Sequence, residues 1–531
     1  MMSLESSDTE GAKTSRWSEA RGGLMKRITH WIDGKPFAGD GERRGKVFDP
    51  ATGVQSGEVG FASVAEVDEA VTAAKAAFPA WRATSLAKRT TILFALLELI
   101  AKHSSDLADL IVSEHGKVKS DAAGEVARGL EVVEYACGIA HLMKGEFSEN
   151  VSTGVNVHSV RQPLGVVAGI TPFNFPAMVP MWMFPLAIAT GNTFVLKPSE
   201  KDPSASILLA ELTAEAGVPQ GVLNVVQGDR VAVDRILTHP DVAAVSFVGS
   251  TSIARHIYET AAREGKRVQA LGGAKNHMVV LPNADLAAAA EAAVSAGFGS
   301  AGERCMAASV LVAVGGCGDE LVSRIHERVN RLTVGPGTDA RSEMGPLVTS
   351  EHRDKVVSYL GIGEAEGAKI AIDGREHDIS GEPGGYWLGP CLIDNVTEDM
   401  KVYVDEIFGP VLSLVRVDSL EDAIGLIHRN GYGNGAAIFT NDGGAAQLFE
   451  TEVDAGMVGI NVAIPVPVAY YSFGGWNSSL FGDLHVYGPD GVKFYTKGKA
   501  VTSRWQNIGQ HHSSLNFPTN APTDRATAQG K

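Results

Sequence analysis

From residue 165 onward, short apolar runs rich in β-branched residues alternate with longer segments of helical period. GVVAGIT (165–171) has the continuous apolar character of a strand buried on both faces. A helical stretch follows to Thr190 and stops at Gly191-Asn192, and TFVLK (193–197) is a second strand ended by Pro198. Residues 204–216 read as a helix closing at Gly217, VLNVV (222–226) as a third strand, and 231–238 as a helix. AAVSFVG (243–249) is a fourth strand, with a helix over 252–262 behind it. Parallel neighbours need crossover connections, so this order predicts a doubly wound parallel sheet.

A second series starts at Asn276 and runs to about Asn461, with strands at 277–281 and 309–314 and helices at 284–298 and 319–332. The two series meet at a glycine turn inside VQALGGAKNHMVVL (268–281). Two α/β domains with a ligand cleft between them are therefore expected. Upstream, 86–100 shows a helical apolar face through Leu93, Leu96 and Ile100, and 120–141 repeats it with Val126, Leu130, Val133 and Cys137. VNVHSVR (155–161) alternates like a strand with one wet face, and the strand-like 485–505 is expected to pair with it as a projecting sheet.

Composition narrows the picture. A chain of 531 residues exceeds one core, and 44% hydrophobic with 20% charged residues is ordinary for a globular protein. A net charge of −16 excludes an evident nucleic-acid or anionic-membrane partner, because phosphate binding needs clustered Lys and Arg. No run of about 18 apolar residues predicts a membrane span. Cys137, Cys305, Cys317 and Cys391 lack metal-ligand spacing and are too sparse for a disulfide framework, so no metal and a reducing, cytoplasmic setting are expected. Residues 1–24 and 507–531 are polar and read as loose tails without a signal peptide.

Several stretches hold candidate chemistry, each with an ordinary structural reading beside the functional one. No strand carries G-x-G-x-x-G, so the usual dinucleotide fingerprint is missing. Gly249-Ser250-Thr251 instead joins a strand to a helix, where free N–H groups suit a pyrophosphate and where Ser and Thr also serve as plain caps. Lys197-Pro198-Ser199-Glu200 stands at a carboxyl-terminal strand end, suited to ribose hydroxyls or to a solvated turn. Cys305 in AGERCMA (301–307) has Arg304 beside it. A cation favours the attacking thiolate, whereas most free cysteines are buried and inert. Asn174 in TPFNFP (171–176) is placed to donate to an oxyanion or to serve as a turn residue. DEIFGP (405–410) sets an acidic pair before a Gly-Pro turn, or is a solvated loop.

Taken in order, P-F-N-F-P, K-P-S-E, F-V-G-S-T, L-G-G, Cys305, E-I-F-G-P and S-F-G-G-W resemble the aldehyde dehydrogenase superfamily across nearly all of residues 26–505. The resemblance implies an α/β fold with a Rossmann-type NAD-binding domain at 25–150 and 163–272. It also implies a catalytic thiol domain at 273–480 and a small β oligomerisation arm from 151–162 and 481–506. Cys305 would attack an aldehyde, giving a thiohemiacetal and, after hydride transfer to NAD, a thioester. Asn174 and the Cys305 N–H would hold the oxyanion, an effect typically of about 3–4 kcal/mol per donor. Lys197 would take the adenine ribose, Glu406 the nicotinamide ribose, and Gly249 and Ser250 the pyrophosphate, with Thr171, Phe173 and Phe408 beside the cofactor. Glu200 would repel a 2′-phosphate, which favours NAD over NADP.

One position departs from the hydrolytic members, which read E-L-G-G where this chain reads A-L-G-G. Ala270 thus stands in place of the base that activates water, a contribution typically of about 10²–10⁴-fold. A thiol acceptor needs less help, which points to coenzyme A as co-substrate. With G-x-R-C, GAKNH (273–277) and RGLEVVEYACG (128–138), the chain is similar to the CoA-acylating methylmalonate-semialdehyde group. That group's substrate carries a carboxylate, so Arg304 and Arg128 are the expected cations, although Arg128 also has Glu131 at helical spacing. Implied products are propanoyl-CoA or acetyl-CoA after loss of CO₂. A CoA-acylating enzyme for an uncharged aldehyde, or a hydrolytic one using another base such as Glu303, stays open. PVPVAYYSFGGW (465–476) and SSLFGDLH (478–485) are expected near the substrate mouth, and a dimer or tetramer is implied.

Overall fold

The computed structural model describes residues 25–505, so both expected tails lie outside the described residues. An eight-stranded sheet runs in the order Leu480–Phe481, Arg267–Leu271, Val242–Val248, Val166–Ile170, Thr193–Lys197, Leu223–Val225, His30–Ile32, Lys35–Phe37. The five strands from Arg267–Leu271 to Leu223–Val225 are mutually parallel, as the crossover pattern requires. The chain steps outward from Val166–Ile170 through two neighbours. It then returns to add Val242–Val248 on the opposite side, a reversal that opens a crevice at the carboxyl ends of the strands.

Alternate residues of each strand feed two different cores, as the two-residue strand period demands. Val166, Ala168, Ile170, Val195 and Ala270 join a cluster with Val67, Ile236 and Ile257 of the helices Val64–Ala83, Arg230–Thr238 and Thr251–Arg263. Val167, Phe194 and Leu196 face the other way, into a larger core with the helices Leu86–Lys102, Lys119–Cys137 and Met178–Ala189. Met178–Ala189 is apolar on every side and every one of its residues is buried.

The second α/β series forms a seven-stranded sheet: Lys369–Ile372, Cys391–Asp394, Val411–Val417, Ala308–Val314, Asn276–Val280, Gly435–Phe439, Met457–Ile460. All its pairings are parallel except that of the Lys369–Ile372 edge. Phe147–Ser152, Val155–Pro163 and Thr496–Arg504 form a separate three-stranded sheet, in which Val155 to Pro163 pair continuously with Arg504 to Thr496.

The strand-like reading of 485–505 is corrected in its first half. Gly488–Phe494 is a helix, because Gly488-Pro489-Asp490 is a helix start, with proline where no N–H is needed and an acid in the first turn. Only Thr496–Arg504 joins the projecting sheet, while Phe481 pairs with Ala270 at the edge of the first. Residues 478–485 therefore back the glycine turn, and the Ser479 hydroxyl donates to the Gly273 carbonyl at 2.8 Å.

Candidate active site

Cys305 lies between the helix Leu286–Phe298 and the strand Ala308–Val314. The connection bends through three successive left-handed residues, Ser300, Ala301 and Gly302. Two are not glycine, a costly arrangement that surroundings must enforce. A side chain at Gly302 would collide with the Gly409 carbonyl, so the thiol loop is wedged against the loop that follows Glu406. The Cys305 carbonyl accepts from the Asn276 amide at 2.9 Å and the Asn434 amide at 3.0 Å, which clamp it to the second sheet.

The thiol opens into a cavity of about 370 Å³. Phe175, Trp182, Ile464 and Phe473 supply its apolar wall, and Lys117, Asp121, Glu125, Arg128 and Arg304 its charges. Both arginines singled out in the sequence reach this one cavity, from separate elements. Arg304 Nη2 donates to Asp121 Oδ1 at 2.6 Å. Arg128 makes two bonds to Glu131, at 2.9 and 2.8 Å, and donates to the Val466 and Pro467 carbonyls. Its helical ion pair and its place in the cavity wall thus coexist.

Of the two readings of Cys305, a thiolate favoured by Arg304 or a buried thiol, the surroundings favour the second. Burial pushes the thiol up to about 12, the Glu406 carboxyl adds to the rise, and Arg304, turned toward Asp121, offsets little of it.

Carboxylates near the nucleophile are committed elsewhere. Among the described residues, three line the two cavities at Cys305: Asp121, Glu125 and Glu406. Asp121 holds Arg304; Glu125 accepts from Lys117 and from the Ala177 and Met178 N–H groups. Glu406 Oε1 accepts from the Ala274 N–H at 2.9 Å, and burial raises its carboxyl above the usual range against that bond and Lys275. Glu303 lines neither cavity. It is fully buried, its carboxyl is driven far up by burial, and it faces the Val348 N–H with His352 and His115 nearby. Ala270 places its methyl in the apolar cluster with Phe247 and Val268.

The glycine turn does structural work of its own. Gly273 has no room for a side chain because the Glu406 carboxyl lies against it. Lys275 Nζ donates to the Val402 and Asp405 carbonyls at 2.8 and 2.7 Å, holding the segment that presents Glu406. Burial lowers the Lys275 ammonium to about 8.

A second cavity of about 560 Å³ opens at the carboxyl ends of the first sheet, over the crevice between Val166–Ile170 and Val242–Val248. Thr171, Lys197, Glu200, Gly249 and Ser250 all line it. Lys197 Nζ donates to Glu200 Oε2 at 3.3 Å. Burial opposes the Glu200 charge, but Lys197 and the residue's own N–H outweigh it and hold the carboxyl below its usual range. The Ser250 hydroxyl makes no cap bond to its helix, and the buried Thr171 hydroxyl has no hydrogen-bond partner among the described residues. Free donors beside a helix start fit a dinucleotide. Phe173 stacks edge-on against Phe408 at 6.0 Å, and Phe408 and Glu406 line the smaller cavity at Cys305. Asn174 is buried, and its carbonyl accepts from Lys117 Nζ at 2.7 Å.

The sequence reading missed Asp121, Lys117, Glu125 and Trp182 at the thiol cavity, and Asp229, Arg230 and His256 at the other. Asp121, Glu125, Arg230 and His256 lie on helices, Lys117 and Asp229 in the turns before helices, and Trp182 on the apolar helix Met178–Ala189; no local motif marks any of them.

A profile of the aldehyde dehydrogenase family matches residues 37–501. The chain belongs to the aldehyde dehydrogenase family. Within it, a malonate-semialdehyde dehydrogenase of Pseudomonas aeruginosa is 53% identical over 497 residues, 93% of this chain and 100% of that one. A malonate-semialdehyde dehydrogenase of Geobacillus kaustophilus is 49% identical over 91% of this chain and 99% of its own. Among solved structures, a methylmalonate-semialdehyde dehydrogenase of Oceanimonas doudoroffii superposes with a TM-score of 0.90 at 53% identity, covering 91% of this chain and 99% of that one. A Sinorhizobium meliloti protein described as a candidate methylmalonate-semialdehyde dehydrogenase, solved in complex with NAD, gives 0.90 at 52% identity over the same shares. This aldehyde dehydrogenase thus has the expected α/β fold. The cavity lined by Lys197 and Ser250 lies at the first sheet and Cys305 precedes a strand of the second, the two sheets being joined by the turn at 272–275.

Proposed function

We propose that this aldehyde dehydrogenase oxidises malonate or methylmalonate semialdehyde with NAD and passes the acyl group to coenzyme A, releasing CO₂ and acetyl-CoA or propanoyl-CoA. One observation carries the reading. Arg128 and Arg304, on separate elements, share the cavity of Cys305, while among the described residues each carboxylate lining the cavities there already accepts at least one hydrogen bond. Such a site suits a carboxylate-bearing aldehyde and offers water no free base. The names of the relatives at 53% and 49% identity support the same substrate class.

Arg304 and Arg128 orient the substrate carboxylate, which sets the aldehyde carbon against Cys305. The Cys305 thiol gives up its proton to solvent, its sulfur adds to the aldehyde carbon as the carbonyl electron pair moves to oxygen, and the Asn174 carboxamide with the Cys305 N–H holds the oxyanion of the thiohemiacetal. Lys197, the free hydroxyls of Thr171 and Ser250, and Glu406 are the residues that would hold NAD, and Glu200 supports it over NADP. Bound NAD supplies the hydride acceptor. The resulting thioester carries a carboxylate on the adjacent carbon, loses CO₂, and protonates that carbon. Coenzyme A thiolate then attacks the acyl carbon and Cys305 departs.

The reading extends to assembly and setting. The three-stranded sheet exposes Phe147 and Val151, which supports its use as the arm of a dimer or tetramer. No helix among the described residues is long and apolar enough to cross a membrane, and we place the enzyme in the cytoplasm.

The test is steady-state NADH production from malonate semialdehyde with and without coenzyme A, with products identified by mass. Acetyl-CoA formation dependent on CoA supports the reading. Equal steady rates without CoA, with free acid as sole product, would overturn it.

A further inference from the structure

The loop that carries Asn174 cannot hold itself. Pro172 and Pro176 remove two of its backbone donors, and the helix Met178–Ala189 that follows starts without a side-chain cap of its own. Support comes from outside, through two charged residues that sequence motifs did not flag. Lys117 Nζ donates to the Asn174 carbonyl at 2.7 Å and to Glu125 Oε2 at 2.8 Å, and sits 4.4 Å from the centre of the Phe175 ring. Glu125 Oε1 accepts from the Ala177 and Met178 N–H groups at 2.8 and 3.1 Å. One ion pair therefore grips the loop at Asn174 and again at the start of the following helix.

Both side chains are enclosed, at 1% and 0% exposure. A buried pair of this kind is not a source of net stability, since well-packed apolar residues of the same volume do as well or better. An apolar pair, however, could not bind one carbonyl and two N–H groups on either side of Asn174. Glu125 has both oxygens occupied, so it is not a base for the thiol, even though it lines the thiol cavity.

We infer that Lys117 and Glu125 are positioning residues for the oxyanion donor: they fix the backbone at Asn174, and so its carboxamide, relative to Cys305. This rests on the assignment of Asn174 as that donor. A displacement of about 1 Å at such a site costs on the order of 10²-fold in rate.

The test is a double-mutant cycle read by rapid-mixing measurement of the first-turnover NADH burst with malonate semialdehyde. Lys117→Met is expected to slow the burst about 10²-fold. NAD affinity and the alkylation rate of Cys305 should stay within about twofold, readouts that general damage to the fold would move. In an Asn174→Ala background, Lys117→Met should cost less than about threefold more, because the two act through one group. Glu125→Gln, which keeps an acceptor for the two N–H groups, should retain part of the burst rate. Should Lys117→Met fail to fold, Lys117→Met/Glu125→Gln removes both charges together and takes its place in the cycle. A wild-type burst in either, or losses that multiply across the cycle, would overturn the inference. An Asn174→Ala variant with a normal burst would instead overturn the assignment of Asn174 itself.

Discussion

Removing Arg304 should turn the thiol cavity against its own substrate. Its wall holds three cations, Lys117, Arg128 and Arg304, against two anions, Asp121 and Glu125. Lys117 is bound to Glu125, so the balance seen by a substrate carboxylate is set by the two arginines with their partners Asp121 and Glu131. Arg304→Met removes a charge-assisted hydrogen bond to the substrate, typically about 1.5–3 kcal/mol. It also leaves Asp121 without its 2.6 Å partner. A carboxylate about 6 Å from Asp121 is then repelled by about 3 kcal/mol at an effective dielectric of about 20. The two effects sum to roughly 5 kcal/mol, and screening at the partly open mouth lowers that to a fall of about 10²–10³-fold in kcat/KM for malonate semialdehyde. Propanal, which has no carboxylate, should change by less than about threefold. Adding Asp121→Asn removes the repulsion and should recover about 10-fold or more for the charged substrate. Initial rates with both aldehydes at saturating NAD and coenzyme A measure all of this. A parallel fall for propanal, or a double variant no better than Arg304→Met alone, would refute the charge argument.

Three further outcomes follow from the same site. Cys305→Ala should lose all turnover while retaining NAD binding by fluorescence titration; residual turnover would reject Cys305 as the nucleophile. Because burial raises the Cys305 thiol to about 12, its thiolate fraction in the cofactor-free enzyme grows with pH, and iodoacetamide should react about tenfold faster per pH unit between pH 7 and 9. A plateau near neutral pH would show an ordinary or lowered thiol. Ala270→Glu puts a carboxyl into an apolar cluster beside Phe247, which should lower the melting temperature without creating CoA-independent turnover. Brisk hydrolysis by that variant would show that the side chain reaches the thioester.

Much of the fold is legible in the chain because parallel strands advertise themselves. GVVAGIT, TFVLK and AAVSFVG are short, mainly apolar runs, and their helices are long enough to cross over, so sheet and connection are read together. Residues 485–505 mislead because a short amphipathic helix after Gly-Pro and an exposed edge strand share a similar mixture of residues. At the site, Cys305, Asn174, Lys197 and Glu406 stand in motifs, whereas Asp121 and Glu125 sit on a helix among other charged residues and Lys117 in the short turn before it.

The sequence by itself determined the succession of strands and helices along the chain, a lone cysteine at 305 with Arg304 beside it, and an alanine rather than a carboxylate at 270. Those are properties of residue identity and local period, which need no partner to be read. Only the tertiary structure decided which charges are already spent. Arg304 is held by Asp121, Glu303 is buried and lines neither cavity at Cys305, and burial pushes the Cys305 thiol up more than its neighbouring cation brings it down. Burial and long-range pairing depend on segments far apart in the chain, such as Asp121 and Arg304. That is why the alanine can be seen at one position, while the partners of the carboxylates around Cys305 could be seen only in the folded site.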